Sequence, residues 1–312
     1  MQTSRRKFIR NSGLVLAGAA LAGNRRFPLI AGTELTGIQL YSVRVDMQKD
    51  ALGTLKQVAA MGYKNVEHAN YSDRKFYKYS ATEFKKVLDD LGMKMPSGHT
   101  VLGKQHWDPA TKEFTDAWKW TIEDAATVGQ QFVISPFLDP TLRSTYDDLK
   151  RTMDIFNKSG ELCQKSGMKF GYHNHDFEFS QKLNDQTVYD IMLSSTDPKL
   201  VMQQLDIGNL YNGGAKAIDI VKKWPGRFES MHVKDEIAAP VPKDNPTPGN
   251  SHEKYESTVL GKGIVDVKEV VDLGRKSGGT IHFIIEQEAY QGQAPLDAIK
   301  EDLAIMKKWG YQ

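Results

Sequence analysis

One pattern constrains this chain above all others, an alternation repeated eight times along most of its length. Short runs of β-type residues lie at Gly37–Tyr41, Tyr63–Glu67, Lys94–His99, Gln131–Ser135, Met168–His173, Val201–Asp206, Glu229–Val233 and Ile281–Glu286. Between and after them come helix-like stretches at Ala51–Met61, Ala81–Leu91, Ala110–Val128, Thr145–Ser166, Thr187–Ser194, Ala215–Lys223, Asp266–Lys276 and Pro295–Trp309. Gly62, Gly92, Gly129 and Gly167 each follow a helical stretch, suit a left-handed cap, and come just before a strand. Strands that alternate with helices pair in parallel through crossovers, and eight such units close a barrel. No Pro- or Gly-rich linker splits the chain, so the expected fold class is α/β, a single (β/α)8 TIM barrel over residues 35–312.

Composition removes several function classes. Lys+Arg total 41 against 39 Asp+Glu, a formal +2, so the basic excess of a nucleic-acid binder is absent. The single cysteine, Cys163, excludes an internal disulfide and a zinc site built on paired thiolates. It lies in a helical stretch and reads as a small buried filler. Ala238 to Ser257 holds Pro240, Pro242, Pro246 and Pro248 and cannot be a helix. It is expected to be a long loop beyond strand seven, over the end of the barrel where chemistry happens.

The N-terminus carries a different signal. Ser4-Arg5-Arg6-Lys7-Phe8 is followed by a short apolar run from Leu14 to Ala22, with small residues at Ala20 and Ala22. The run is too short for a membrane span. It resembles a twin-arginine export signal, which implies a signal peptide at 1–22, a linker at 23–34, and a periplasmic or otherwise exported protein. Such signals serve proteins that fold before export, often with a cofactor loaded. Removing residues 1–22 takes four basic residues and no acid, leaving 37 against 39, a net −2.

Polar residues gather where the strands end. In order they are Gln39 and Tyr41, Glu67 and His68, His99, Ser135, then His173, Asn174 and His175. Strand six follows with Asp206 and Asn209, strand seven with His232, Lys234 and Asp235, and strand eight with Glu286 and Glu288. Five of the eight histidines fall at such ends, and strand alternation turns His173 and His175 to the same side. Imidazoles and carboxylates converging at one rim are what a metal or acid–base site needs. A carboxylate after a strand also caps the next helix, and Asp206 and Asp235 could each do only that.

Seven segments occur in barrel order: G-I-Q-L-Y-S-V-R (37–44), G-Y-K-N-V-E (62–67), Y-H-N-H-D-F-E-F (172–179), L-D-I-G-N (205–209), H-V-K-D (232–235), L-G-K-G-I-V-D (260–266) and I-I-E (284–286). Together they resemble the xylose isomerase-like TIM-barrel family, the sugar phosphate isomerases/epimerases, over about residues 35–310. The resemblance implies one divalent ion at the barrel mouth, held from strands five to eight by His173, Asp206, His232 and Glu286. His173 stands where the family usually has glutamate, with His175 as the other strand-five candidate, so a two-glutamate epimerase is in question. DNA-repair relatives carry Asp-x-x-His on strand six, where this chain has Asn209.

Imidazoles with carboxylates suit manganese, zinc, cobalt or iron better than magnesium or calcium. Such an ion could stabilise the enediolate formed when a proton leaves next to a carbonyl, with His175 or Glu286 as base and Lys234 also catalytic. Gln39, Tyr41, Glu67, His99, Asn209 and Lys234 are candidate substrate contacts, with Trp107 and Phe137 as candidate sugar-stacking rings. The expected function is an exported metal-dependent sugar isomerase/epimerase acting on an unphosphorylated sugar or keto-sugar. The alternatives are a dehydratase or lyase on keto-polyols or 3-keto-glycosides, or a carbohydrate-binding barrel without catalysis. The expected partner is a small carbohydrate, with no nucleic acid and no membrane span; a homo-oligomer stays open.

Overall fold

A computed structural model describes residues 35–240 and 254–312. The export signal and linker (1–34) and the centre of the proline-rich stretch (241–253) lie outside the described residues. Among the described residues, eight strands form a closed barrel: β1 Leu35–Gln39, β2 Asn65–His68, β3 Lys94–His99, β4 Phe132–Ser135, β5 Lys169–His173, β6 Val201–Asp206, β7 Ser230–Val233 and β8 His282–Ile285. Every neighbouring pair is parallel, and β8 closes on β1 with Leu35 opposite His282. The helices outside are α1 Ala51–Met61, α2 Ala81–Asp90, α3 Asp116–Val128, α4 Tyr146–Gln164, α5 Val188–Ser195, α6 Ala217–Lys223, α7 Val267–Leu273 and α8 Pro295–Lys308. None of them is long and apolar enough to cross a membrane.

Local chemistry sets the boundaries. Ser80 and Glu83 form a capping box at the start of α2, and Thr145 with Asp148 does so for α4. Gly62 and Gly129 end α1 and α3 at φ +104° and +92°, a conformation that costs a residue with a Cβ and costs glycine nothing. The core lies between strands and helices. Val133 and Phe170 meet Trp118, Met153 and Phe156 on one side of the barrel. Cys163 is buried there, as its helical position implied, and burial pushes its thiol up to about 12.

Three expectations change. Strand one ends at Gln39 because Leu40–Val43 turn into a 3-10 helix capped by the Gln39 side chain. The helix expected from Ala110 begins at Asp116, since Trp107–Asp108 pairs with Glu113–Phe114 in a hairpin. The long loop after strand seven is framed by another hairpin, Asp235–Ala238 against Tyr255–Thr258. Two more hairpin units follow β2 and β5. All four stand on the C-terminal face of the barrel, where its loops build sites.

Asp302 on α8 gives the fold a pH dependence of its own. It is buried, its Oδ1 accepts from Leu260 N at 2.8 Å, and its Oδ2 has no hydrogen-bond partner. Burial pushes the carboxyl up to about 7. The folded state therefore binds this proton more tightly than the unfolded chain, and that stabilisation is lost as pH rises from about 4 to about 7. Asp302→Asn should flatten this part of the profile, by up to about 4 kcal/mol across the window. Denaturant melts of both proteins at several pH values would check it; parallel profiles would contradict it.

Candidate metal centre and active site

The floor of the site is a carboxylate inside the barrel. Gln39, Glu67 and Ser97 are register partners across β1, β2 and β3, so Glu67 has a hydrogen-bond donor on either side. Gln39 Nε2 donates to Oε1 at 2.8 Å, and Ser97 Oγ donates to Oε2. From across the barrel Gln204 Nε2 donates to Oε2 at 2.9 Å, while His232 Nε2 and His99 Nε2 lie 2.6 and 3.2 Å from Oε1. Burial works to raise the Glu67 pKa, but His99 and His232 hold it well below the usual carboxylate range.

The next layer is built on that floor. His232 turns Nε2 down to Glu67 and Nδ1 up, 3.1 Å from Glu286 Oε2 and 3.6 Å from Asp206 Oδ2. Asp206 is both of the things its position allowed. Its Oδ1 accepts from Asn209 N at 2.6 Å and caps the short helix Ile207–Asn212, while its buried Oδ2 accepts no hydrogen bond. His173 Nδ1 lies 3.2 Å from Gln204 Oε1, and its Nε2 faces Asn209 Nδ2 at 3.4 Å and Asp206 Oδ2 at 4.0 Å. Burial, with His232 and His99 close by, holds His173 well below its ordinary value and so neutral.

Lys234 stands behind this group. Its Nζ is 2.8 Å from Glu286 Oε2, 3.2 Å from Asp206 Oδ2 and 3.5 Å from Glu288 Oε2. Burial disfavours its charge, but Asp206 and Glu286 raise its pKa well above the ordinary lysine value. Burial likewise opposes charge on Glu286, and Lys234 and His232 reverse that and keep it ionised. His232 is raised for the matching reason: against the cost of burial, Glu286 and Glu67 favour its charged form.

The donor set fits a divalent ion. One ligand atom each from His173, Asp206, His232 and Glu286 lies within 4.8 Å of all the others, and all four residues are buried. Bonds of about 2.1 Å in a tetrahedron put ligand atoms about 3.4 Å apart, close to the 3.1, 3.6 and 4.0 Å seen here. Beyond the Lys234 ammonium at 3.2 Å, the buried Asp206 Oδ2 accepts no hydrogen bond, which leaves it capacity for a second cation. His232 has a carboxylate on its far nitrogen and His173 an amide oxygen, the outer partners that orient metal-ligating histidines.

A cavity of about 710 Å³ opens over this centre. Tyr41, His99, His173, His175, Asn209 and Glu286 line it, together with Phe137 and Glu288. His175 has its Nδ1 sealed in the wall without a hydrogen-bond partner, which leaves Nε2 as the ring nitrogen open to the cavity. Burial and the nearby Lys234 push His175 down to about 4. Gln39 and Glu67 lie under the candidate metal site instead of in the cavity wall, and Lys234 lies behind it.

Not every polar strand end points inward to the site. His68 is turned away, edge-on to Phe76 with ring centres 4.8 Å apart, and burial pushes it down to about 3. Trp107 packs on Phe114, 5.0 Å between ring centres, away from the cavity. Asp235 is structural: its carboxylate accepts from the backbone N–H groups of Glu236, Gly261, Gly263 and Val265. Sequence reasoning missed Gln204, although it sits two residues before Asp206 and so on the same strand face. It also missed Tyr71, Arg74 and Trp120, which line the cavity from a turn and a helix.

With this geometry in view, the relatives are informative. The model of the xylose isomerase-like TIM barrel family matches residues 55–309. This chain belongs to that family. An inosose dehydratase of Clostridium beijerinckii is 25% identical over 271 residues, 82% of this chain and 84% of its own length. A sugar phosphate isomerase/epimerase from Parabacteroides distasonis superposes with a TM-score of 0.75 at 22% identity, over 89% of this chain and 95% of that one. The IOLI protein with a bound zinc atom superposes at 0.63 and 14% identity, over 88% and 98%. The last two likenesses bear on the fold alone. Family membership fits the seven sequence segments and the barrel they implied.

Proposed function

We propose that this family member is a metal-dependent lyase, a dehydratase-type enzyme that removes a proton next to a carbonyl of a small, unphosphorylated keto-sugar or keto-polyol. One observation favours elimination over two-base epimerisation: strand five turns His173 and His175 to the cavity, with His173 in the ligand set, and no glutamate to match Glu286. Epimerisation takes the proton from one face of the carbon and returns it to the other, which calls for a base on each side, whereas elimination hands it to the leaving oxygen and needs one base. The inosose dehydratase relatives support the same choice.

His173, Asp206, His232 and Glu286 would hold the ion. When bound it supplies Lewis acidity towards a carbonyl oxygen, which makes the adjacent C–H more acidic. His175 Nε2 takes that proton. The C–H pair becomes the new C=C, the bond from the next carbon to its oxygen breaks, and the oxygen leaves with the proton His175 took. The leaving molecule is water from a hydroxyl or an alcohol from a glycoside, and nothing is oxidised or reduced. Asn209 and Tyr41 are placed to orient the substrate from the cavity wall, and Glu67 fixes the His232 ring from below.

Mass spectrometry of products from a keto-polyol and keto-sugar panel tests the reaction class. A product lighter by one water, or by one alcohol for a glycoside, is expected; a product of unchanged mass would point to the isomerase instead. Glu67→Gln should weaken metal binding about 10- to 100-fold, as loss of an outer-shell partner does. Competition titration with a chromophoric chelator would measure it, and unchanged affinity would contradict the role of Glu67. Export in the folded state is part of the proposal, on the Ser4–Phe8 pattern. Arg5→Lys with Arg6→Lys should hold the chain in the cytoplasm on cell fractionation; unaltered export would count against it.

A further inference from the structure

The cavity is larger than a single-ring substrate needs. Pockets for drug-sized ligands run from about 300 to 1,000 Å³, and a ring of about a dozen non-hydrogen atoms needs only the low end of that range. This cavity measures about 710 Å³. Its walls also differ in chemistry. The strand ends contribute His173, His175, Asn209 and Glu286, all polar. A further part of the wall is built by the hairpin after β2 and by α3, and carries Tyr71, Arg74 and Trp120. Among the described residues four large hydrophobic side chains are exposed, and two of them, Trp120 (45%) and Val101 (38%), line this cavity.

Trp120 has a fixed cation beside it. The Arg74 guanidinium lies 5.5 Å over its ring and is clamped by Asp124, one turn further along α3, through bonds of 2.7 and 3.0 Å. The turn that presents Arg74 has Asp73 at φ +50° and Arg74 at φ +61°. Two left-handed residues in succession are the usual place for Asn-Gly, and strain of this kind persists where the surroundings fix it. An exposed indole in a cavity wall, with a guanidinium beside it, matches the apolar face and hydroxyl edge of a sugar ring or the face of an aryl ring.

We propose that this part of the wall is a subsite for a second ring, so that the substrate is a keto-sugar with a ring attached through its glycosidic oxygen. The proposal rests on the carbohydrate reading of the metal end for the identity of the first ring. It makes the leaving alcohol of the elimination a ring-bearing one.

Calorimetric titration of the full chain with methyl glucosides, phenyl glucosides, cellobiose and maltose tests it without requiring turnover. At least one ring-bearing glycoside should bind about tenfold or more tighter than the methyl glucoside of the same anomer. Phenyl and disaccharide arms tell an aryl ring from a sugar ring. Trp120→Ala should erase the advantage and leave the methyl glucoside within about twofold, while Trp120→Phe keeps part of it. Equal affinities, no binding by any glycoside, or an advantage that survives Trp120→Ala would overturn the subsite. Elimination from a single-ring keto-sugar without any binding advantage would sink the subsite and spare the reaction. A binding advantage without turnover of any keto-sugar would do the reverse.

Discussion

Asp206→Asn should leave a folded protein that holds no metal, melts below the metal-loaded parent, and turns over at least about a thousandfold more slowly. The loss exceeds the 10- to 100-fold typical of outer-shell partners because a ligand is removed outright. The two oxygens of Asp206 have separate duties, which is why asparagine is informative. Its carbonyl oxygen can still accept from Asn209 N and keep the helix cap, while the charge facing His173, His232 and Lys234 is gone. Asp206→Ala loses the cap as well and should cost about a further 1 kcal/mol of stability. Metal analysis, a melt and an assay on the two variants separate these effects. Full metal occupancy in Asp206→Asn would remove Asp206 from the centre.

His175→Ala should do something different. Turnover falls about 10²- to 10⁴-fold, the usual contribution of a positioned base, and metal content stays as in the parent. His173→Ala, by contrast, should lose the metal. The sequence left both histidines open as the strand-five ligand. The structure puts His173 Nε2 within reach of Asp206 Oδ2 and in the set of four, and leaves His175 in the cavity wall outside that set. Loss of metal from His175→Ala with retention in His173→Ala would exchange their roles.

Much of the fold could be read from the chain because its local signals agree. Each of Gly62, Gly92, Gly129 and Gly167 takes a positive φ where a helical stretch gives way to a strand. Strand ends fix the height of a residue in a barrel, which put His173, Asp206, His232 and Glu286 among the polar strand ends, and the family resemblance then singled them out as a ligand set. Depth was harder to read. Alternation tells whether a side chain points inward, but not whether it ends in a cavity or beneath one. Gln39 and Glu67 thus resemble substrate contacts in sequence, and in the structure Ser97, Gln204 and His232 enclose Glu67 from three further strands. The hairpins were the least legible part. Asp73-Arg74 turns the chain without the glycine that usually marks such a turn, so nothing announced that Arg74 would reach Trp120.

The most direct test of a metal-dependent proton abstraction uses a keto-polyol deuterated at the carbon next to its carbonyl. It is offered to metal-stripped protein and to protein reloaded with manganese, zinc, cobalt or iron. Deuterium is expected to pass into water in step with product, with at least one of these ions and not in the stripped protein. Equal release without metal, or tight binding of the ligand with no release under any ion, would contradict it.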